Sequence, residues 1–183
     1  KIAQAYAYDP FEQITTKLNS LEINGHDTGK IELIIIGGTF PFMTEKYQHD
    51  FAKACYDALN CDTKIGPSTT LEEAMSVNEK SNHKCVGLTI ETKPDYCKLR
   101  HIEIMLSLGV TRVEIGVQSL RNEVFRLTNR GHNIDDVTES FKIARNAGLK
   151  IVAHMMPGLP GSSPKKDLED LQQLLYDHQY RPD

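Results

Sequence analysis

Ile31-Glu32-Leu33-Ile34-Ile35-Ile36-Gly37-Gly38-Thr39-Phe40 is the stretch on which the fold turns. An apolar, β-branched run stopped by two glycines predicts a strand over residues 31–36, buried on both faces as strands of a parallel sheet are. Upstream, Asp9-Pro10-Phe11-Glu12 starts a helix: Asp caps, Pro suits the first turn, and Glu stands three residues after the cap. Phe11, Ile14, Leu18 and Leu21 continue it as one apolar stripe, and Asn24-Gly25 ends it.

Downstream the same alternation repeats. Tyr47, Phe51, Ala54, Cys55 and Ala58 mark a helix with Cys55 on its buried side, and a short helix follows over 71–80. Residues 85–90 form a second strand. Asp95 is expected to cap a helix that buries Leu99, Ile102 and Leu106 and closes at Gly109. A third strand covers 111–117. Asn133 caps a helix carrying Ile134, Val137, Phe141 and Ala144, closed by Gly148. A fourth strand covers 150–156, and Ser163-Pro164 opens a last helix expected to bury Leu168, Leu171 and Leu175. Strands alternating with amphipathic helices mean right-handed βαβ units and a parallel sheet. Four strands cannot close a barrel of eight, so an open sheet or a partial barrel, unfinished at its edge, is expected.

The 183 residues carry 21 basic and 25 acidic side chains, a net charge of −4, with 39% hydrophobic and 25% charged residues. That is globular composition, and it excludes a basic module that coats nucleic acid. A local patch for RNA remains open. The longest apolar run, 33–38, is far too short to cross a membrane, and a signal peptide is not expected from the opening residues. Cys55, Cys61, Cys85 and Cys97 include no C-x2-C pair. Free thiols and a cytoplasmic location are the expectation, with no metal site in this chain.

In parallel α/β sheets ligands bind beyond the carboxyl ends of the strands. Here those ends carry Gly37-Gly38-Thr39, Glu91-Thr92-Lys93-Pro94-Asp95, Gly116-Val117-Gln118-Ser119 and Pro157-Gly158-Leu159-Pro160-Gly161. Gly37 and Gly38 let a ligand approach the backbone, or merely turn the chain. Glu91 can accept from an amine or a ribose hydroxyl, or form a surface pair with Lys93. Arg112 and Glu114 share one face of their strand, where they pair or point into a lumen. His154 reads as a core or rim histidine. Arg121, Arg126, Arg130 and His132 cluster in one connection, a candidate phosphate or RNA contact or else a solvated face.

These strand ends resemble those of radical S-adenosylmethionine (SAM) enzymes, and most closely the radical domain of the Elongator catalytic subunit family. The stretches that carry the resemblance are Tyr8-Asp9-Pro10-Phe11, Lys30-Ile31-Glu32-Leu33, Gly37-Gly38-Thr39-Phe40, the string from Gly87 to Cys97, Arg112 to Ser119, Thr128 to His132, and Val152 to Pro157. The resemblance implies a partial parallel (β/α)6 barrel of the radical SAM type, incomplete at its edges. On that reading residues 1–183 are the central part of a radical SAM domain. The cluster-binding cysteines are expected upstream, and an acetyltransferase-like domain with a possible zinc site downstream.

The resemblance further implies tRNA wobble-uridine carboxymethylation at C5. On this reading a reduced [4Fe-4S] cluster would give one electron to cleave S-adenosylmethionine into methionine and a 5′-deoxyadenosyl radical, which would take hydrogen from the methyl of acetyl-CoA. The acetyl carbon adds to uridine C5, and hydrolysis leaves the carboxymethyl group. Gly37, Gly38 and Thr39 would receive the methionyl part of the cofactor. Glu91, Gln118 and the backbone at Met155 and Met156 would line its ribose and adenine. Lys30, placed in the loop before the first strand, would contact acetyl-CoA. The implied partners are tRNA, acetyl-CoA, and other Elongator subunits if the source is eukaryotic. A coproporphyrinogen-oxidase-like radical enzyme and a non-catalytic, cluster-free interaction domain are the competing expectations. The fragment by itself is expected to be inactive.

Overall fold

The computed structural model describes residues 2–62 and 66–183. The elements follow the order α1 (Ile2–Ala5), α2 (Pro10–Ile23), β1 (Lys30–Ile35), α3 (Glu45–Leu59), α4 (Leu71–Asn78), β2 (Lys84–Thr92), α5 (Leu99–Ser107), β3 (Arg112–Gln118), α6 (Asn122–Leu127), α7 (Ile134–Asn146), β4 (Lys150–Met155) and α8 (Pro164–Tyr176). The four parallel strands take the sheet order β1-β2-β3-β4, a partial barrel of the expected kind. The chain divides into two compact units, Lys1–Leu33 with Met43–Leu88 and Ile34–Phe42 with Thr89–Asp183.

In the first unit Asp9 accepts from the N–H groups of Phe11 and Glu12 and starts α2, as its sequence position demands. Leu18, Ala52, Cys55, Leu59, Leu71 and Ala74 are buried there. A chain of amides joins its elements: Asn60 Nδ2 donates to the Ala74 carbonyl at 2.9 Å, Asn78 Nδ2 to Asn60 Oδ1 at 2.8 Å, and the Cys85 N–H to Asn78 Oδ1 at 2.8 Å. Buried polar groups are tolerated when partnered in this way.

The second unit holds the parallel ladder. Glu91 stands opposite Glu114, and Glu114 opposite Val152. Ile90, Val113, Ile115, Val117 and Ile151 have no solvent exposure, and neither do Val137, Phe141 and Ala144 of α7, which packs against β4. Asn133 accepts from the N–H groups of Asp135 and Asp136 and caps α7. Burying each such aliphatic side chain contributes roughly 1.5–3 kcal/mol, and this face of the sheet is the unit's principal core.

Five expectations are corrected. β1 is not buried on both faces: Lys30, Glu32 and Ile34 are exposed in alternation with half-buried or buried neighbours. It is the outermost strand of the sheet order, and one of its faces stays open. Lys30 is the first residue of β1 rather than part of the loop before it. Asp95 does not cap α5 but lies in a single 3-10 turn, Pro94–Tyr96, and Lys98 occupies the cap position. The apolar stripe of α5 is also turned: Leu99 and Leu106 are exposed, and His101, Ile102, Met105 and Leu108 take the inside.

The same inversion occurs in α8. Leu168, Leu171 and Leu175 are exposed, while Asp170 and Leu174 are buried. Asp170 takes the inner position because it is fully engaged there. Its Oδ2 accepts from Ser119 Oγ at 2.7 Å and the Leu120 N–H at 3.0 Å, and its Oδ1 faces Arg121 Nε at 2.8 Å. A buried carboxylate with three such partners outweighs the leucines' preference for the interior.

Candidate functional site

The carboxyl ends of β1 to β4 each contribute to one edge of the sheet, and every predicted cofactor residue of these ends belongs to the second unit. At the end of β1, Gly37 and Gly38 have φ of 143° and 91°, a region that side chains rarely enter, and a Cβ on either would meet nothing within 4 Å. The glycines therefore serve backbone conformation and leave open space above the strand end. Thr39 follows, half-buried, its carbonyl accepting from the Phe42 N–H at 3.0 Å.

At the end of β2, Glu91 is half-buried and has no ion pair or hydrogen bond among the described residues. The competing pair with Lys93 does not form, because Lys93 Nζ binds Asp95 Oδ2 at 3.1 Å. A half-buried carboxylate without a partner is costly unless a ligand supplies one. Its ladder partner Glu114 is engaged: Glu114 Oε2 lies 3.1 Å from His154 Nε2. A carboxylate oxygen accepts, so Nε2 carries the hydrogen of this contact.

At the end of β3 the ladder to β4 slips, and Gln118 adopts φ 70°. Non-glycine residues held there commonly mark functional strain. The Gln118 carbonyl accepts from the Met156 N–H at 2.9 Å, which brings the ends of β3 and β4 together. Met155 and Gln118 line a cavity of about 250 Å³ with Pro157, Leu168 and Leu171, while Met156 is exposed.

Two further rim residues were legible only in part. Arg130 Nη2 donates to the Gly116 carbonyl at 3.1 Å, which brings the guanidinium to the end of β3. A Cβ at Gly116 would lie 3.0 Å from the Gln118 amide and 3.3 Å from Arg130 Nη2, so only glycine leaves room for both. The glycine was visible in the sequence, but its two neighbours, one 14 positions away, were not.

The four members of the basic connection thus separate. Arg121 is tied to α8 through Asp170 and through Glu169 at 2.8 Å. Arg130 turns to the rim. His132 is enclosed: its side chain has no exposure, its ring lies 4.6 Å from that of Phe125, and its Nδ1 is 4.0 Å from Asp95 Oδ1. Burial, and then the Arg130 charge, push its pKa down to about 4, so it is neutral at pH 7. Arg126 remains exposed. It borders a cavity of about 630 Å³ with Asn122, Phe125, Asn129, His132 and Asn133. In the first unit Lys30 borders a separate cavity of about 520 Å³ together with Lys17, His26 and Leu33.

The rim residues fit S-adenosylmethionine. Open space over two glycines suits its backbone-like methionyl end, Glu91 offers an unmatched carboxylate to its amine or ribose hydroxyls, and Arg130 supplies positive charge. The residues of this chain do not fit a [4Fe-4S] cluster. Among the described residues no three His, Cys, Asp or Glu groups are placed to hold a metal, and burial raises the Cys55 and Cys97 thiols to about 12. No described helix is long and apolar enough to cross a membrane.

Residues 10–175 match the model of the Radical SAM superfamily. Over 178 residues the chain is 44% identical to a tRNA uridine(34) acetyltransferase of Methanocaldococcus infernus, an alignment covering 97% of this chain and 33% of that protein. Over 176 residues it is 46% identical to Elongator complex protein 3 of Danio rerio, covering 96% and 31% respectively. A solved structure of the archaeal Methanocaldococcus infernus Elp3 with an N-terminal deletion superposes with a TM-score of 0.95 at 44% identity, covering 99% of this chain and 42% of that one. The chain spans about a third of the length of these curated relatives.

Proposed function

The chain belongs to the radical SAM superfamily, and from that premise we propose that it is the cofactor-binding part of an enzyme that carboxymethylates C5 of the wobble uridine in tRNA. The observation that carries the substrate class is the 44% identity, across 97% of the chain, to a relative named tRNA uridine(34) acetyltransferase. Acetyl-CoA is the carbon donor in this reading. A zinc site and an acetyltransferase-like domain belong to the parts of the protein outside these residues. Elongator subunits are partners where the source is eukaryotic.

When bound, S-adenosylmethionine with its iron–sulfur cluster supplies the one-electron chemistry that activates the acetyl methyl group. This chain's residues hold and orient. Gly37, Gly38 and Thr39 admit the methionyl end to the backbone of β1. Glu91 accepts from an amine or ribose hydroxyl, and Gln118 and the backbone at Met155 and Met156 line the nucleoside. Arg130 faces the carboxylate end rather than RNA. Lys30 meets acetyl-CoA as a mobile point charge. Of the basic connection, Arg126 is left for RNA phosphate.

The test is incubation of the anaerobically purified full-length protein, its cluster reconstituted and a one-electron reductant present, with S-adenosylmethionine, acetyl-CoA and tRNA, followed by nucleoside analysis of the digested tRNA. Carboxymethyluridine that depends on all three is expected. Deoxyadenosine without any uridine product would return a coproporphyrinogen-oxidase-like enzyme to first place. Neither product would favour a binding domain.

A further inference from the structure

The cavity beside α6 is used by none of the cofactor residues, and its lining has an unusual composition. Asn122 spends its Oδ1 on the Ile134 N–H at 2.9 Å. Asn133 spends its Oδ1 on the N–H groups of Asp135 and Asp136, at 2.8 and 3.1 Å. The Asn133 oxygen is saturated and the Asn122 oxygen keeps one lone pair, while both NH2 groups stay available. The Asn129 side chain has no hydrogen-bond partner among the described residues, so it offers a donor and an acceptor. With Arg126 the cavity is rich in donors and poor in acceptors, so it suits a ligand bearing several acceptor oxygens.

A second observation points the same way. His132 lines this cavity with a side chain that has no exposure, and neither ring nitrogen has a hydrogen-bond partner among the described residues. Orphaned buried polar atoms of this kind mark an unmet ligand or water. Asn129 lines the cavity and holds φ 52°, the left-handed position that follows the end of α6. The volume of about 630 Å³ falls inside the roughly 300–1,000 Å³ range of small-molecule sites.

We propose that this cavity holds one pyrimidine nucleotide of a single-stranded RNA segment, with uracil preferred over cytosine. Arg126 meets its phosphate. The amide groups of Asn122 and Asn133 donate to the uracil carbonyls, and Asn129 Oδ1 accepts from uracil N3–H. Cytosine carries an amino donor where uracil has a carbonyl, and a donor-rich edge repels it. The inference rests on the tRNA reading above and adds a base-reading subsite to it.

The test measures binding of tRNA, a labelled oligouridine, a labelled oligocytidine and free uridine monophosphate to wild type, Arg126→Ala and Asn129→Gly. Glycine keeps the left-handed backbone and deletes only the amide, so Asn129→Gly should unfold at the wild-type temperature. Wild type should prefer oligouridine about fivefold or more, the lower range of a good base contact. Asn129→Gly should lose that preference. Arg126→Ala should weaken both oligonucleotides alike and flatten the salt dependence. Equal wild-type affinity for the two oligonucleotides, or an unchanged preference in Asn129→Gly, overturns the subsite while leaving tRNA binding intact. Uridine monophosphate binding as tightly as oligouridine would make the site one for a free nucleotide and also overturn it. Failure of wild type to bind tRNA at low salt overturns the functional reading, and the subsite with it.

Discussion

On one face of β3, Val113, Ile115 and Val117 have no exposure. On the other, Glu114 and Gln118 are half-buried, Gly116 leaves room for an amide and a guanidinium, and the ladder neighbour Glu91 has no partner among the described residues. One strand therefore carries two kinds of specification. The first face is satisfied by volume, and its residues could be exchanged for others of similar size at small cost. The second carries half-buried polar groups, a left-handed backbone at Gln118 and, on the neighbouring strand, a carboxylate at Glu91 without a partner among the described residues. Stability should be concentrated on the first face and binding on the second.

The comparison breaks most visibly on the helix-facing side. Ile115→Ala removes a fully buried side chain and should cost about 2–5 kcal/mol, read by denaturant unfolding. A cost below about 1 kcal/mol would mean that this face is not the core. Gly38→Val sits on the other side. A Cβ there would meet nothing within 4 Å, so the expected penalty is backbone strain of order 1–3 kcal/mol, and in the full-length enzyme deoxyadenosine production should be lost. Wild-type production by that variant would remove the β1 end from the cofactor site.

His132 sharpens the contrast through pH. The unfolded chain takes up its proton near the ordinary value of 6.5, whereas the folded chain resists until about 4. Its folded pKa is depressed, so stability is lost as pH falls from 6.5 towards 4 and is flat above that window for this group. His132→Phe should lose that part of the decline. Identical pH profiles for the two proteins would show that the imidazole is not shielded. The smallest expected effect belongs to Lys30→Ala. Its exposed position predicts a stability change within about 0.5 kcal/mol, with weaker acetyl-CoA turnover. Unchanged turnover would return Lys30 to the solvated surface.

The alternation of strands and helices was legible, because Asp9, Asn133 and Ser163 each sit where a cap must and each does cap. That the strand ends share one edge of the sheet was legible as well, because parallel topology places them together. What was hidden was the choice of inner face in α5 and α8. Leucines at helical spacing predict a buried stripe, yet Asp170 displaces them through partners about 50 positions away. No local pattern encodes that pairing. The short α6 shows no face in the sequence, since six residues give too little periodicity. The separation of Arg121, Arg126, Arg130 and His132 into four environments likewise follows from long-range partners, not from their spacing.

The central claim is that the polar strand ends of the second unit bind S-adenosylmethionine. Hydrogen exchange of the anaerobically purified protein, with and without saturating S-adenosylmethionine, tests it most directly. Slowed exchange is expected at residues 37–39, 91–92, 116–118 and 155–157, with residues 45–59 of α3 unchanged. No protection at those four strand ends, or protection confined to other segments, would contradict it.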